Sequence, residues 1–287
     1  MPNPPYRLDL PARRSGSVVF ASPHSGRNYP HSFLRRSVLD ERAIRSSEDA
    51  YVDLLVSAAP QFGAPLLTAL APRAYVDLNR GADEVDPAVV DGIAGVTHNP
   101  RISSGLGVIP RVVANGRAIY RGKIPLPEAR TRITEVWRPY HGALQQLLDE
   151  CMGEFGEAIL IDWHSMPHEA IDAIGSGPRR PEVVLGDRFG AACGPEIMDR
   201  VEGAFAAAGL RVARNAPFAG AYITQHYGRP SRGQHVVQVE IDRSLYMDER
   251  AIAPHDGFDS FRATLTAVLT DLVAIGTPPE SLPLAAE

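Results

Sequence analysis

Two histidines carry the first chemical signal in this chain: His24 in Ser-Pro-His-Ser-Gly and His164 in Asp-Trp-His-Ser-Met. Neutral imidazole is the commonest zinc ligand, and a catalytic zinc takes about three protein ligands and keeps one position open. Two imidazoles then require an acidic third ligand. Glu48 and Asp49, at the head of the amphipathic segment 50–59, are the candidates. Spacing alone is weak evidence here, because the residues are far apart and the compact His-Glu-x-x-His signature is absent. A lone histidine is more often a hydrogen-bonded structural residue.

Glu240 lies in Val-Val-Gln-Val-Glu-Ile, the most strand-like run of the chain. A carboxylate there is costly unless it is paired or set in a cleft. A raised pKa in such a place suits a general base that takes a proton from metal-activated water. The plainer alternative is an ion pair with Arg243. In Asp77-Leu-Asn-Arg80, arginine offers a carboxylate two parallel hydrogen bonds, and Asn79 adds a donor. Such a pair would anchor an amino-acid substrate, although for a lone arginine a surface salt bridge is the better explanation. Arg121, in Ile-Tyr-Arg-Gly-Lys, is a second cation suited to polarising a scissile carbonyl. Ser25 and Ser165 lack the Gly-x-Ser-x-Gly elbow of a serine nucleophile, and the glycine-rich run at 175–177 lacks a phosphate-loop ending. For His141 two roles stay open, a hydrogen bond from behind the site or a helix cap.

These residues gain weight from the elements that must present them. Apolar runs alternate with amphipathic segments, the pattern of an α/β layer fold. Strands are predicted at 17–21, 65–70, 73–78, 158–162, 183–185, 210–213 and 236–241. His24, the Asn79–Arg80 pair and His164 each follow one of these strands, and Glu240 lies near the end of the last. Ligand sites of open α/β sheets gather at the carboxyl ends of strands. Helical spacing is clear in Leu144, Leu147, Leu148, Cys151 and Phe155, again around Val201 and Phe205, and again in Phe261, Leu265, Val268, Leu269 and Leu272. Pro139 is expected to divide or kink the segment 127–155. The stretch 81–123, rich in Gly, Pro and Asn, reads as long surface loops, and loops of that length are often functional.

The 287 residues, 44% hydrophobic and 22% charged, are read as one domain with a loose tail at 277–287. The net charge of −5 with scattered basic residues excludes the footprint of a nucleic-acid binder. Cys151 and Cys193 have no paired or metal-type spacing and read as reduced core thiols. The N-terminus has no apolar signal core, and no run approaches the roughly 18 apolar residues of a membrane span. A cytoplasmic protein without membrane or nucleic-acid partners is expected.

Taken together, Ser22-Pro-His-Ser-Gly26, Asp77-Leu-Asn-Arg80, Trp137-Arg-Pro-Tyr-His141, Asp162-Trp-His-Ser-Met166, the run from Phe218 to Pro230 and the run from Gln238 to Asp248 resemble the N-formylglutamate amidohydrolase family. The landmarks keep their order over most of the chain. The resemblance implies a three-layer α/β fold, a mixed twisted sheet between helical layers, similar to zinc carboxypeptidases. It implies one zinc held by His24, Asp49 and His164, with Asp49 preferred to Glu48 because the family keeps an aspartate there. Glu240 becomes the base, Asn79 and Arg80 the carboxylate clamp, and Arg121 an oxyanion partner. The implied reaction is hydrolysis of N-formyl-L-glutamate, a small N-acyl amino acid, to formate and L-glutamate. One departure stands at the acidic ligand: deformylases of histidine degradation tend to carry Thr-Asp-Trp-His where this chain has Glu48-Asp-Ala-Tyr51. Two other readings are a zinc deacylase or carboxypeptidase-like amidase acting on another N-acyl amino acid or a cell-wall peptide, and a non-catalytic binder of small carboxylates. Other divalent ions suit the same ligands.

Overall fold

The structure, a computed structural model, describes residues 4–93, 99–172 and 180–278. Its centre is set by two runs of period two. In Ala158–Met166 and Gln234–Asp242 successive side chains face opposite sides of the sheet, so each strand supplies two different surfaces. Ile159, Ile161 and Trp163 join Val237, Val239 and Ile241 in one core, while Ala158, Leu160 and Val236 join another on the reverse face.

Among the described residues, seven strands form the sheet: β1 (Tyr6–Asp9), β2 (Val18–Ser22), β3 (Leu66–Ala69), β4 (Ala158–Met166), β5 (Val183–Gly186), β6 (Val212–Arg214) and β7 (Gln234–Asp242), in the spatial order β1-β3-β2-β4-β7-β5-β6. The central β3, β2, β4 and β7 are parallel neighbours. β1 is antiparallel to β3, and β5 is antiparallel to β7 while parallel to β6, so the sheet is mixed. The helices that frame the sheet and the site are α1 (Leu126–Arg132), α2 (Arg138–Phe155), α3 (Pro195–Ala207), α4 (Tyr222–Tyr227) and α5 (Phe258–Ile275). The apolar faces of α3 and α5 pack on the Trp163 side, and α2 packs on the Leu160 side. The result is the expected three-layer α/β arrangement. No helix among the described residues is long and apolar enough to cross a membrane.

Several elements differ from the sequence-based expectation for identifiable reasons. Residues 73–78 are not a strand: the Pro72 carbonyl accepts from the Tyr75 and Val76 amides and turns the chain. The alternation of Ala74, Val76 and Leu78 reflects burial in the α2-side core without a ladder. β4 runs on to Met166 because β7 pairs with it residue for residue, so His164 lies inside the strand rather than after it. The edge strand β1 has too little apolar content to announce itself. Pro139 falls in the first turn of α2, and the preceding turn, Ile133–Trp137, is a π-turn, so the segment stays helical across the proline. The described residues of 81–123 are mostly irregular, but Val89, Val108, Ile109 and Ile119 are buried in the α2-side core, so they are part of the core and not surface loop alone. The glycine-rich 175–177 and the tail from 279 lie outside the described residues.

Candidate metal centre and substrate cavity

The same alternation that builds the α2-side core also ends it. Along β4, Ala158 and Leu160 give way to Asp162 and His164 on the same face; along β7, Val236 gives way to Gln238 and Glu240. The parallel register sets Asp162 against Gln238 and His164 against Glu240. β2 delivers His24 beside them, because Ala21 pairs with Asp162 and the chain turns just beyond Ser22. That turn needs Gly26: a Cβ there would stand 2.1 Å from the Ala71 carbonyl oxygen. The His24 carbonyl in turn accepts the Asp49 amide at 3.0 Å, which brings the acidic residue to the centre.

His24, Asp49 and His164 meet with their ligating atoms within 4.8 Å of one another, all buried. His164 Nδ1 is 2.9 Å and His24 Nδ1 is 3.4 Å from Asp49 Oδ2. The far nitrogen of each ring is held by a second carboxylate: His24 Nε2 by Asp77 Oδ1 at 2.8 Å, His164 Nε2 by Asp162 Oδ2 at 2.9 Å. Such bonds fix the tautomer that leaves Nδ1 free to ligate. Arg243 Nη2 binds Asp49 Oδ1 at 3.0 Å and so turns Oδ2 toward the imidazoles. His24 Nδ1 is buried with no hydrogen-bond partner among the described residues. A buried, orphaned imidazole nitrogen aimed at a carboxylate and a second imidazole fits a divalent metal ion. Glu48 faces elsewhere, bound by the Tyr29 hydroxyl at 2.6 Å and by Arg45.

The electrostatics reflect this crowding. Burial raises the cost of charge on Asp49, yet the two imidazoles outweigh it and hold its carboxyl well below the usual range. Burial also opposes charge on His164, but Asp162, Asp49 and Glu240 keep its imidazolium favoured. For Glu240 burial prevails, with Asp49 adding to it, and the carboxyl is pushed up to about 7. Gln238 Nε2 donates to Glu240 Oε1 at 2.8 Å and orients it.

A cavity of about 550 Å³ opens over this centre and is lined by Asn79, Arg80 and Glu240 as well as the three ligand candidates. The sequence-nominated residues therefore converge, with Arg121 the exception: it is exposed and outside the cavity lining. Its neighbour Tyr120 is buried and accepts from Arg132 Nη1 at 2.7 Å, while Arg121 lies in the exposed bend that follows. Asn79 is engaged by the protein, its Oδ1 accepting the Ile223 amide at 2.8 Å and its Nδ2 donating to Gln238 Oε1 at 3.3 Å. His141 does act from behind, one of the two roles open to it. Its Nε2 donates to the Leu78 carbonyl at 2.9 Å, and Trp137 Nε1 donates to the Arg80 carbonyl at 2.8 Å, so α2 and the π-turn before it pin the backbone on either side of Asn79.

The family model described as N-formylglutamate amidohydrolase matches residues 16–247. This chain belongs to that family. A relative in Pseudomonas aeruginosa named N-formylglutamate deformylase is 33% identical over 265 residues, covering 90% of this chain and 93% of the relative. One of the same name in Pseudomonas putida is 33% identical over 235 residues, 81% of this chain and 82% of its own. The crystal structure of N-formylglutamate amidohydrolase from Ralstonia eutropha JMP134 is 35% identical with a TM-score of 0.87, covering 94% of this chain and 97% of that one. The N-formylglutamate amidohydrolase family is one of hydrolases acting on an amide bond, and the residues that sequence reasoning misses belong to its buried frame here. Asp162 and Gln238 each stand two positions before a nominated residue on the same strand face, a signal that period two makes legible. Arg243, the expected alternative partner of Glu240, sits instead on Asp49.

Proposed function

We propose that this chain hydrolyses N-formyl-L-glutamate to formate and L-glutamate, with zinc as the working ion at His24, Asp49 and His164. The observation that carries the reading is one cavity holding a buried His-Asp-His cluster, with both outer imidazole nitrogens on carboxylates, beside a buried glutamate of raised pKa. The names of the close relatives support the substrate. A divalent ion at this cluster supplies Lewis acidity toward the amide carbonyl and toward water. Glu240, poised near neutral pH with Oε1 held by Gln238, takes the proton of the attacking water on its carboxylate and returns it to the leaving nitrogen. Arg80 binds a substrate carboxylate from the cavity wall, with Asn79 setting its place in the turn. Arg121 takes no part.

The test is release of formate and glutamate from N-formyl-L-glutamate by purified protein, before chelation, after it, and after zinc is returned. Release that chelation abolishes and zinc restores is expected. Glu240→Gln should keep about one zinc per chain and lose roughly 10²–10⁴-fold in kcat. Zinc-loaded protein that cleaves N-acetyl amino acids or short peptides but leaves the formyl compound intact would sink the substrate.

A further inference from the structure

Among the described residues four guanidiniums line the cavity, those of Arg73, Arg80, Arg101 and Arg243. Two are neutralised where they stand: Arg73 Nε lies 3.0 Å from Asp77 Oδ2, and Arg243 Nη2 lies 3.0 Å from Asp49 Oδ1. The other two are not. Arg80, only 6% exposed, donates to the carbonyls of Leu106 at 2.8 Å and Asn79 at 2.6 Å, and has no carboxylate at ion-pair distance among the described residues. The side chain of Arg101, half-buried on the same cavity, makes no hydrogen bond or ion pair among the described residues. One residue ties the two together: Leu106 donates its amide to the Arg101 carbonyl and accepts Arg80 Nε on its own. Burial, with Arg101 among the cations adding to it, makes the charge on Arg80 costly although Asp77 offsets part. Two cations in one cavity without carboxylates are stabilised when anions settle on them.

Resting on the reading of this site as an N-acyl amino-acid hydrolase, we propose that Arg101 is the specificity residue that binds the distal carboxylate of a dicarboxylic substrate, while Arg80 binds the α-carboxylate. The division rests on position. The α-carboxylate shares a carbon with the scissile nitrogen, so it must lie close to the metal centre. Arg80 is next to Asn79, whose side-chain nitrogen is 3.3 Å from His164 Nε2. The second carboxylate stands at the far end of the substrate side chain, which suits the more exposed guanidinium of Arg101, on the short helical turn Pro100–Ser103.

N-formyl-L-glutamate and N-formyl-L-glutamine differ at that distal group alone, carboxylate against amide. With zinc-loaded enzyme, Arg101→Gln should lower kcat/KM on the glutamate compound by roughly 10–100-fold, mainly through KM. The glutamine compound should change by less than about threefold, so the preference collapses, and Arg101→Lys should keep part of it. An Arg101→Gln enzyme that retains the wild-type preference overturns the proposal. If wild type cleaves neither compound, the substrate reading has failed separately, and calorimetry decides the role of Arg101. Wild type should then bind glutarate more tightly than butyrate, and Arg101→Gln should erase the difference. Equal binding of both acids by wild type, or a difference that survives in the variant, overturns it.

Discussion

At the scale of single residues, the centre is defined as much by carboxylates that touch no ligand position as by the cluster itself. Asp77 and Asp162 each hold the outer nitrogen of an imidazole. Replacing Asp162 with asparagine keeps the shape and removes the charge, and zinc affinity should fall roughly 10–100-fold, read by competition with a coloured chelator. An unchanged affinity would mean that the pair is incidental. His24, His164 and Glu240 are legible in the sequence because each is a chemically unusual residue at or just after a predicted strand, and the structure brings them into one cavity with Asp49 and Arg80. Glu48 and Asp49 were not separable by sequence position, since the turn that rotates one toward His24 and the other toward Tyr29 is a tertiary outcome. Arg121 is nominated by its type alone, and its exposed position beside the buried Tyr120, outside the cavity lining, is not legible in the sequence.

At the scale of elements, the two faces of the sheet play different parts. The α3 and α5 face carries a continuous apolar core, with Leu265, Leu269 and Leu272 fully buried, and it lies across the sheet from the cavity. Leu269→Ala should therefore cost about 2–5 kcal/mol of stability. It should leave kcat of the zinc-loaded enzyme close to wild type at a temperature where both are folded, measured by urea unfolding beside steady-state rates. A large loss in kcat would show that the two faces are coupled. The helices were readable because their apolar spacing is long and regular. The turn at 73–78 was misread because burial alone produces a strand-like alternation, and only the acceptor role of the Pro72 carbonyl distinguishes it. The length of β4 depends on β7, which is remote in sequence, and no local pattern carries that information.

At the scale of the whole molecule, α2 and the cavity are linked to pH through His141. Burial is the main cause that pushes its pKa down to about 3, and its two nitrogens are engaged by Leu78 and Tyr227. In the unfolded chain the ring titrates near 6.5, so below that pH the unfolded state binds a proton that the native state refuses. The associated stability is fully present above about 6.5 and is lost as pH falls toward 3, by up to roughly 1.4 kcal/mol per pH unit. Asp49 and Asp77, held below the usual carboxyl range, lose their contributions only at lower pH. Urea unfolding of metal-free protein near pH 5 and pH 7 should show a steeper fall for wild type than for His141→Gln. Matching slopes would remove His141 from the account. A different consequence comes from the pairing of β4 with β7, in which His164 stands opposite Glu240 and Trp163 fills the other face. A slip of either strand by one residue would turn the imidazole into oil and the indole toward the carboxylates. A divalent ion taken up at this cluster would thus be a census of correctly woven chains, and the ratio of metal to protein in a preparation would report its folding quality before any substrate is added.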